Sequence, residues 1–171
     1  MSRQITRRTS LALGLGATAL VAGCGTPKFI EYRGPRVTKV EVHKSTRRMY
    51  LLNGRTVLEQ YPIQLGFTAE GHKQHYGDGR TPEGRYKIDR RNPNSSFYLS
   101  VGIDYPNARD LEWAATRGLD PGGDIFVHGW GHASQAEKSA DWTAGCIAVT
   151  DKQMRQVYAM VQNGTTIDIF G

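Results

Sequence analysis

The stretch VTKVEVHKSTRRMYLLNGRTVLEQYPIQLG, residues 37–66, decides the fold because it has the pattern of successive β-strands. Apolar and polar residues alternate over residues 37–43, as in a strand with one buried face. Two further apolar runs, residues 48–53 and 57–66, flank Asn53-Gly54, a dipeptide that favours the tight turn of a hairpin. The sequence therefore predicts a strand followed by a β-hairpin.

Further short strands are predicted along the rest of the chain, at residues 84–90, 97–103, 124–128 and 165–170. Residues 66–80 contain several glycines and histidines and are predicted to form a loop.

Two short helices are predicted among these strands. Residues 106–118 form the first, with Asn107 as its N-cap. The second begins after Thr150, because Thr150 and Gln153 have the spacing of a capping box. Four apolar residues then share one helical face: Met154, Val157, Tyr158 and Val161. The predicted fold is mainly β, a compact sandwich or barrel-like domain with one or two short helices.

The chemistry is expected at Thr143-Ala144-Gly145-Cys146-Ile147, which follows His128-Gly129 along the chain. A thiol becomes a strong nucleophile only as a thiolate, and its usual pKa of about 8.5 calls for a neighbouring base. Cys146 as nucleophile and His128 as base would provide that chemistry. The alternative is a buried structural cysteine, since unpaired cysteines are often buried.

The N-terminus predicts export and a lipid anchor. Residues 1–23 have a basic start and a short apolar core, as in a signal peptide, and residues 11–22 are too few to span a bilayer. Leu20-Val21-Ala22-Gly23-Cys24 resembles a bacterial lipoprotein box, so Cys24 is predicted to be lipidated. The alternative is an ordinary signal peptide with a chance cysteine. Arg7-Arg8 also resembles a twin-arginine export signal.

These signals divide the chain into a signal peptide at residues 1–23, a tether at residues 24–36 and a catalytic domain at residues 37–171. The expected location is the cell envelope, facing the periplasm and attached to a membrane. Gly25 favours the outer membrane, because inner-membrane retention is often signalled by Asp at that position.

Charge and cysteine content limit the possible partners. The chain has a net charge of +6, but the signal peptide holds three arginines and no acid, which leaves +3 on the rest. Basic runs interleaved with aromatic residues are absent from the sequence, so no nucleic acid is expected as a partner. With Cys24 lipidated, Cys146 has no partner within the chain for a disulfide, which favours a chemical role.

These motifs resemble those of a known family, the L,D-transpeptidase catalytic domain of the YkuD type. Its signature is a His-Gly pair followed, after a gap, by Ser/Thr-x-Gly-Cys and an aliphatic residue. GRTPEGRYKI, residues 79–88, resembles a second motif of the family, and residues 40–66 resemble its opening hairpin. The resemblance covers residues 37–170.

The resemblance implies a β-rich fold and action on peptidoglycan stem peptides without a cofactor. It implies that Cys146 forms a thioester acyl-enzyme and that His128 is the general base and later the acid. The N–H groups of Gly145 and Cys146 would form the oxyanion hole. The carbonyl of Gly129 would orient His128, and Thr143 would support the cysteine turn.

One position departs from the family pattern. Most members have arginine two residues after the cysteine, where this chain has Ala148. The departure leaves the acceptor open, because water in place of an amine would make the protein an endopeptidase or amidase. Three other arginines could supply the missing charge: Arg80, Arg91 and Arg117.

Two other classes remain as alternatives. A metal hydrolase could use His72 with His75, or His128 with His132, but the glycines between the second pair make helical ligand spacing a poor fit. A binding protein with a decayed site could use Trp130 and Trp142 to contact sugar or peptide. No metal site is predicted.

Overall fold

The chain is represented by a computed structural model that describes residues 27–133 and 141–171. The predicted signal peptide and the predicted lipidation site Cys24 lie outside the described residues.

The described residues form one curled eight-stranded sheet with two short helices. The strands are β1 Lys39–His43, β2 Arg48–Asn53, β3 Thr56–Pro62, β4 Gly84–Asn92, β5 Ser100–Ile103, β6 Phe126–His128, β7 Ile147–Ala148 and β8 Thr166–Phe170. The helices are α1 Ala108–Ala115 and α2 Asp151–Met160. The predicted fold class, mainly β with one or two short helices, is confirmed.

The strand order is β3-β2-β1-β8-β4-β5-β6-β7, and two neighbouring pairs, β1 with β8 and β6 with β7, are parallel. Beyond β3 the chain returns to the opposite edge of the sheet. Gln64 forms a bridge with Ala148, and Gly66 forms a bridge with Thr143. These bridges bring the two edges of the sheet together beside the cysteine segment and give the domain its barrel-like curvature.

The core lies inside this curl and is covered at one end by α2. Met154 and Val157 of α2 are buried and join one apolar cluster with strand residues such as Val101 and Val127. Thr150 caps α2, accepting a hydrogen bond from the Gln153 N–H while the Gln153 side chain accepts one from the Thr150 N–H. The predicted capping box and apolar face of the second helix are therefore confirmed.

The first helix also starts as predicted. Asn107 is its N-cap, and Asp110 adds a capping box that was not predicted. The predicted hairpin is confirmed, but its turn lies one residue later than the Asn53-Gly54 pair: Asn53 pairs with Thr56, and the two loop residues are Gly54, with a φ of +58°, and Arg55.

Five predicted strands are shorter in the structure, and two of them, β1 and β8, simply start later than predicted, at Lys39 and Thr166. β3 ends at Pro62, which has no N–H to continue the ladder. β5 starts at Ser100 because Tyr98, with φ +73°, turns the chain before it. β6 starts at Phe126 because Asp124, with φ +55°, has a left-handed backbone.

The segment predicted as a tether contacts the domain where it is described. The Arg155 guanidinium donates to the Pro27 carbonyl at 3.0 Å, and the Tyr98 hydroxyl donates to the Lys28 carbonyl at 3.5 Å. Residues 27 and 28 therefore lie against α2 and the segment that leads into β5.

Candidate active site

The parallel pairing of β6 with β7 brings the predicted nucleophile and base together. Val127 is opposite Ile147 and His128 is opposite Ala148, so the residue just before β7, Cys146, lies beside the start of β6. Cys146 and His128 line one cavity of about 320 Å³. The other lining residues are Asn92, Asn94, Ser95, Ser96, Phe97, Ser100, Asp124 and Phe126.

Cys146 has a free thiol. Its sulfur accepts a hydrogen bond from the Phe126 N–H at 3.4 Å and donates to the Asp124 carbonyl at 3.5 Å. Burial raises the pKa of the Cys146 thiol, and the Phe126 N–H only partly opposes this effect. The thiol therefore needs a base to react near neutral pH.

The imidazole of His128 is held by its own chain. Its Nδ1 lies 2.6 Å from the Gly129 carbonyl oxygen, which can only accept, so Nδ1 carries the proton. The other nitrogen, Nε2, then has a lone pair for a proton from a thiol. Burial lowers the pKa of His128, and the Gly129 carbonyl partly offsets this effect.

Two aromatic rings enclose the imidazole. Phe97 stacks on His128 with ring centroids 4.5 Å apart, and Trp142 contacts it edge-on at 5.8 Å. These rings exclude water from the imidazole, which agrees with the direction of its pKa shift.

Thr143 braces the cysteine turn through its hydroxyl. The hydroxyl donates to the Cys146 carbonyl at 2.7 Å and accepts from the Gly145 N–H at 3.2 Å. The Gly145 N–H was predicted as an oxyanion donor, but here it is bound to Thr143. It can serve an oxyanion only by exchanging that partner, so its role stays a prediction.

Glycines allow the two sequence motifs to meet. Gly145 has a φ of +134°, and a Cβ on it would lie 2.7 Å from the Arg80 carbonyl. A Cβ on Gly66 would lie 2.0 Å from the Gly79 carbonyl. Thr81, which is fully buried, accepts a hydrogen bond from the Gly66 N–H at 3.3 Å. The residue 79–88 motif thus forms the support against which the cysteine loop packs.

Asp141 is a site residue that the sequence analysis missed. Its carboxylate accepts from the Leu65 N–H at 2.7 Å and pairs with Arg47 at 2.8 Å. It therefore fixes the start of the cysteine segment to the chain after β3. Its position two residues before Thr143 was the available signal.

Arg90 was also missed. Its guanidinium pairs with Asp124 at 3.2 Å and lies 4.4 Å from the centre of the Phe126 ring, so it borders the cavity. Two of the arginines considered from the sequence lie elsewhere. Arg91 stacks on Tyr158 of α2, and Arg117 stacks on Trp113 of α1.

The histidines of the metal-hydrolase alternative have separate contacts. His72 accepts from the Glu83 N–H at 2.9 Å and faces Asp110 at 3.4 Å. The ring of His75 contacts the Tyr76 carbonyl at 2.8 Å. Within residues 27–133 and 141–171, no group of three or more histidine, cysteine or acidic side chains is arranged to hold a metal ion.

Comparison with known proteins identifies the domain. Residues 38–169 match the family model of the YkuD L,D-transpeptidase catalytic domain. The chain belongs to this family. The family acts on peptidoglycan peptides.

Among curated proteins, the chain is 27% identical over 146 residues to the Escherichia coli protein named "Putative L,D-transpeptidase YafK". The match covers 80% of this chain and 53% of that protein, so the chain spans about half the length of this curated relative.

Solved structures share the fold. The helical cell shape determining protein Pgp2 from Campylobacter jejuni matches with a TM-score of 0.62 and 24% identity, over 83% of this chain and 50% of that one. L,D-transpeptidase 1 from Mycobacterium tuberculosis matches with a TM-score of 0.51 and 15% identity, over 79% and 62% of the two chains.

No helix within the two described segments is both long enough and apolar enough to cross a membrane.

Proposed function

We propose that this protein is a cysteine-dependent peptidoglycan L,D-transpeptidase that works through a thioester acyl-enzyme. The observation that carries the proposal is that Cys146 and His128 line one cavity, with Nδ1 of the histidine bound to the Gly129 carbonyl. Family membership provides the substrate class, the stem peptides of peptidoglycan.

In the proposed first step, Nε2 of His128 takes the thiol proton while the sulfur of Cys146 attacks the amide carbonyl between an L-centre and a D-residue. The carbon–nitrogen bond then breaks, and the imidazolium returns the proton to the leaving amine. The acyl group remains on sulfur as a thioester.

In the second step, an acceptor amine attacks the thioester and gives a proton to His128, and the thiolate leaves and is reprotonated. The oxyanion of each tetrahedral intermediate needs N–H donors, and each is typically worth a few kcal/mol. The Cys146 N–H is one predicted donor. The Gly145 N–H is the other, once it releases Thr143.

Ala148 keeps a second outcome open. Its side chain is fully buried, where most family members have arginine. Water as the acceptor would make the protein an L,D-endopeptidase or amidase with the same acyl-enzyme.

We also propose that the protein is a lipoprotein of the cell envelope, attached to a membrane through Cys24 and facing the periplasm. The lipoprotein box at residues 20–24 supports this, and Gly25 favours the outer membrane. Mass spectrometry of the N-terminal peptide of the purified full chain tests it, because an unmodified Cys24 in the exported protein would contradict the anchor.

The function is tested by incubating tetrapeptide muropeptides with the full chain in detergent and analysing the products by mass spectrometry. A product joined through the L-centre is expected from the wild type and from His132→Gln, whose histidine is exposed. Cys146→Ala and His128→Gln should yield none. Cleavage without joining would replace the transferase by a hydrolase. No turnover of tetrapeptide, cross-linked or protein-linked substrates would favour a decayed binding protein.

A further inference from the structure

Gln64 joins the two aromatic side chains that flank the site. Its side-chain oxygen accepts the indole N–H of Trp130 at 2.9 Å and the indole N–H of Trp142 at 3.1 Å. One amide oxygen has two lone pairs, so it can satisfy both donors at once. The two tryptophans are thereby fixed relative to one another.

One of these tryptophans contacts the proposed base. Trp142 lies edge-on to His128 at 5.8 Å, and Phe97 touches both rings, at 4.5 Å from His128 and 5.7 Å from Trp142. Trp130 follows Gly129, whose carbonyl holds Nδ1 of the imidazole. A change in either indole therefore reaches His128, through a ring contact in one case and through the backbone in the other.

The backbone of Gln64 is tied to the nucleophile strand. Its N–H donates to the Ala148 carbonyl at 2.9 Å and its carbonyl accepts from the Ala148 N–H at 2.8 Å. Residues that exchange both bonds in an antiparallel pair carry their side chains on the same face, with Cα atoms about 5.5 Å apart. The Gln64 side chain therefore lies beside the buried methyl group of Ala148.

We propose that Gln64 is a positioning residue that holds the imidazole of His128 in register with Cys146 by clamping Trp130 and Trp142. The clamp explains why a small residue is suited to position 148. A long side chain there would compete with the Gln64 amide for the same buried space. The proposal deepens the proposed function and rests on it.

The clamp itself is tested without any enzyme assay, by the indole N–H resonances of the ¹⁵N-labelled full chain. The chain has three tryptophans, Trp113, Trp130 and Trp142. Gln64→Leu should shift the resonances of Trp130 and Trp142 and leave that of Trp113 in α1 unchanged. Gln64→Glu retains an acceptor oxygen and should keep both resonances near their wild-type positions. The matched control is Gln60→Leu, an exposed residue of β3.

The positioning role is tested by the pH dependence of Cys146 alkylation with iodoacetamide. Gln64→Leu should lower the rate at pH 7 by about 10-fold, since small misplacements of a catalytic group are costly. The pH below which the alkylation rate falls should also rise toward 6.5, the usual pKa of imidazole. Gln64→Glu should recover most of the rate, and Gln60→Leu should match the wild type.

A folded Gln64→Leu chain with unchanged indole resonances would overturn the clamp. Shifted resonances with a wild-type alkylation profile would overturn the positioning role. Should Gln64→Leu fail to fold, Trp142→Phe keeps a ring beside His128 and removes one N–H, and a wild-type alkylation profile in that variant would overturn the proposal. None of these readouts depends on which acceptor the enzyme uses.

Discussion

The sulfur of Cys146 lies 3.5 Å from the carbonyl oxygen of Asp124, so the resting thiol donates a hydrogen bond to the main chain. Asp124 has a left-handed backbone with φ +55°, which points to a held conformation at the edge of the cavity. In this arrangement the proton stays on sulfur, and the proposed proton transfer to His128 requires that the thiol first break this hydrogen bond.

If Cys146 and His128 are both uncharged at rest, the alkylation rate of the thiol should have a distinct pH dependence. Burial raises the pKa of Cys146 and lowers that of His128, so thiol and imidazole are both uncharged near pH 7. The alkylation rate of Cys146, measured on its own peptide by mass spectrometry, should keep rising above pH 8.5. On the acid side, the rate should fall only below about pH 6.5, because the pKa of His128 is lowered. A high plateau from pH 5 to 7 would show a thiolate–imidazolium pair instead.

Thr143 should matter through its hydroxyl rather than its bulk. Thr143→Val removes the partner of the Gly145 N–H and of the Cys146 carbonyl, and leaving such groups unpaired costs about 1–3 kcal/mol. We expect slower alkylation of Cys146 and a lower free energy of unfolding in urea. Thr143→Ser keeps the hydroxyl and should behave like the wild type. Equal loss in both variants would contradict the bracing role.

Gly145 should tolerate no side chain. Gly145→Ala combines a strained φ of +134° with a contact of 2.7 Å to the Arg80 carbonyl, and should lower the free energy of unfolding by roughly 2–5 kcal/mol. Gly54→Ala is the matched control, because Gly54 also has a positive φ but has open space around it. Strain alone should cost roughly 1 kcal/mol there. Similar losses in urea unfolding of the two variants would show that the Arg80 contact relaxes freely.

Asp78 should make the free energy of unfolding depend on pH in the acidic range. Burial would raise its pKa, but the N–H groups of Gln74, His75 and Arg80 and the Lys73 ammonium lower it to about 2. Because the folded pKa lies below the unfolded value, Asp78 contributes stability above about pH 4 that is lost as the pH falls toward 2. That contribution is about 2 kcal/mol.

Urea unfolding from pH 7 to pH 2 measures this effect. Asp78→Asn should be less stable at pH 7 and should lose less stability on acidification than the wild type. Glu70→Gln changes an exposed carboxylate in the same loop and should leave the pH dependence unchanged. An Asp78→Asn curve parallel to that of the wild type would contradict the assignment.

Local sequence signals predicted the elements that depend on local physics. The hairpin after β2 and the cap at Thr150 are confirmed because each is determined by a few neighbouring residues, although the hairpin loop is Gly54-Arg55 rather than Asn53-Gly54. The position of β8 between β1 and β4 was not predicted, because pairing between distant strands leaves no mark in a short stretch of sequence.

The same distinction holds for the site. Cys146 and His128 could be singled out from the sequence because their chemistry is particular to their residue types. Gln64 and Asp141 could not, because each acts on residues far along the chain through pairing at the sheet edges. β5 and β6 start later than predicted because Tyr98 and Asp124 have positive φ values, which cannot be predicted from their residue types.

With Cys24 lipidated as proposed, the contact between Arg155 and Pro27 would limit how far the domain can lie from its anchor. Two residues lie between Cys24 and Pro27, so the Cα atoms of Cys24 and Pro27 are at most about 10 Å apart when the chain is fully extended. Pro27 would then stay within that distance of Cys24, and α2 would lie farther away by one Arg155 side chain as long as the contact holds. The domain would then reach only peptidoglycan strands that approach the membrane, and strands farther away would be out of its reach.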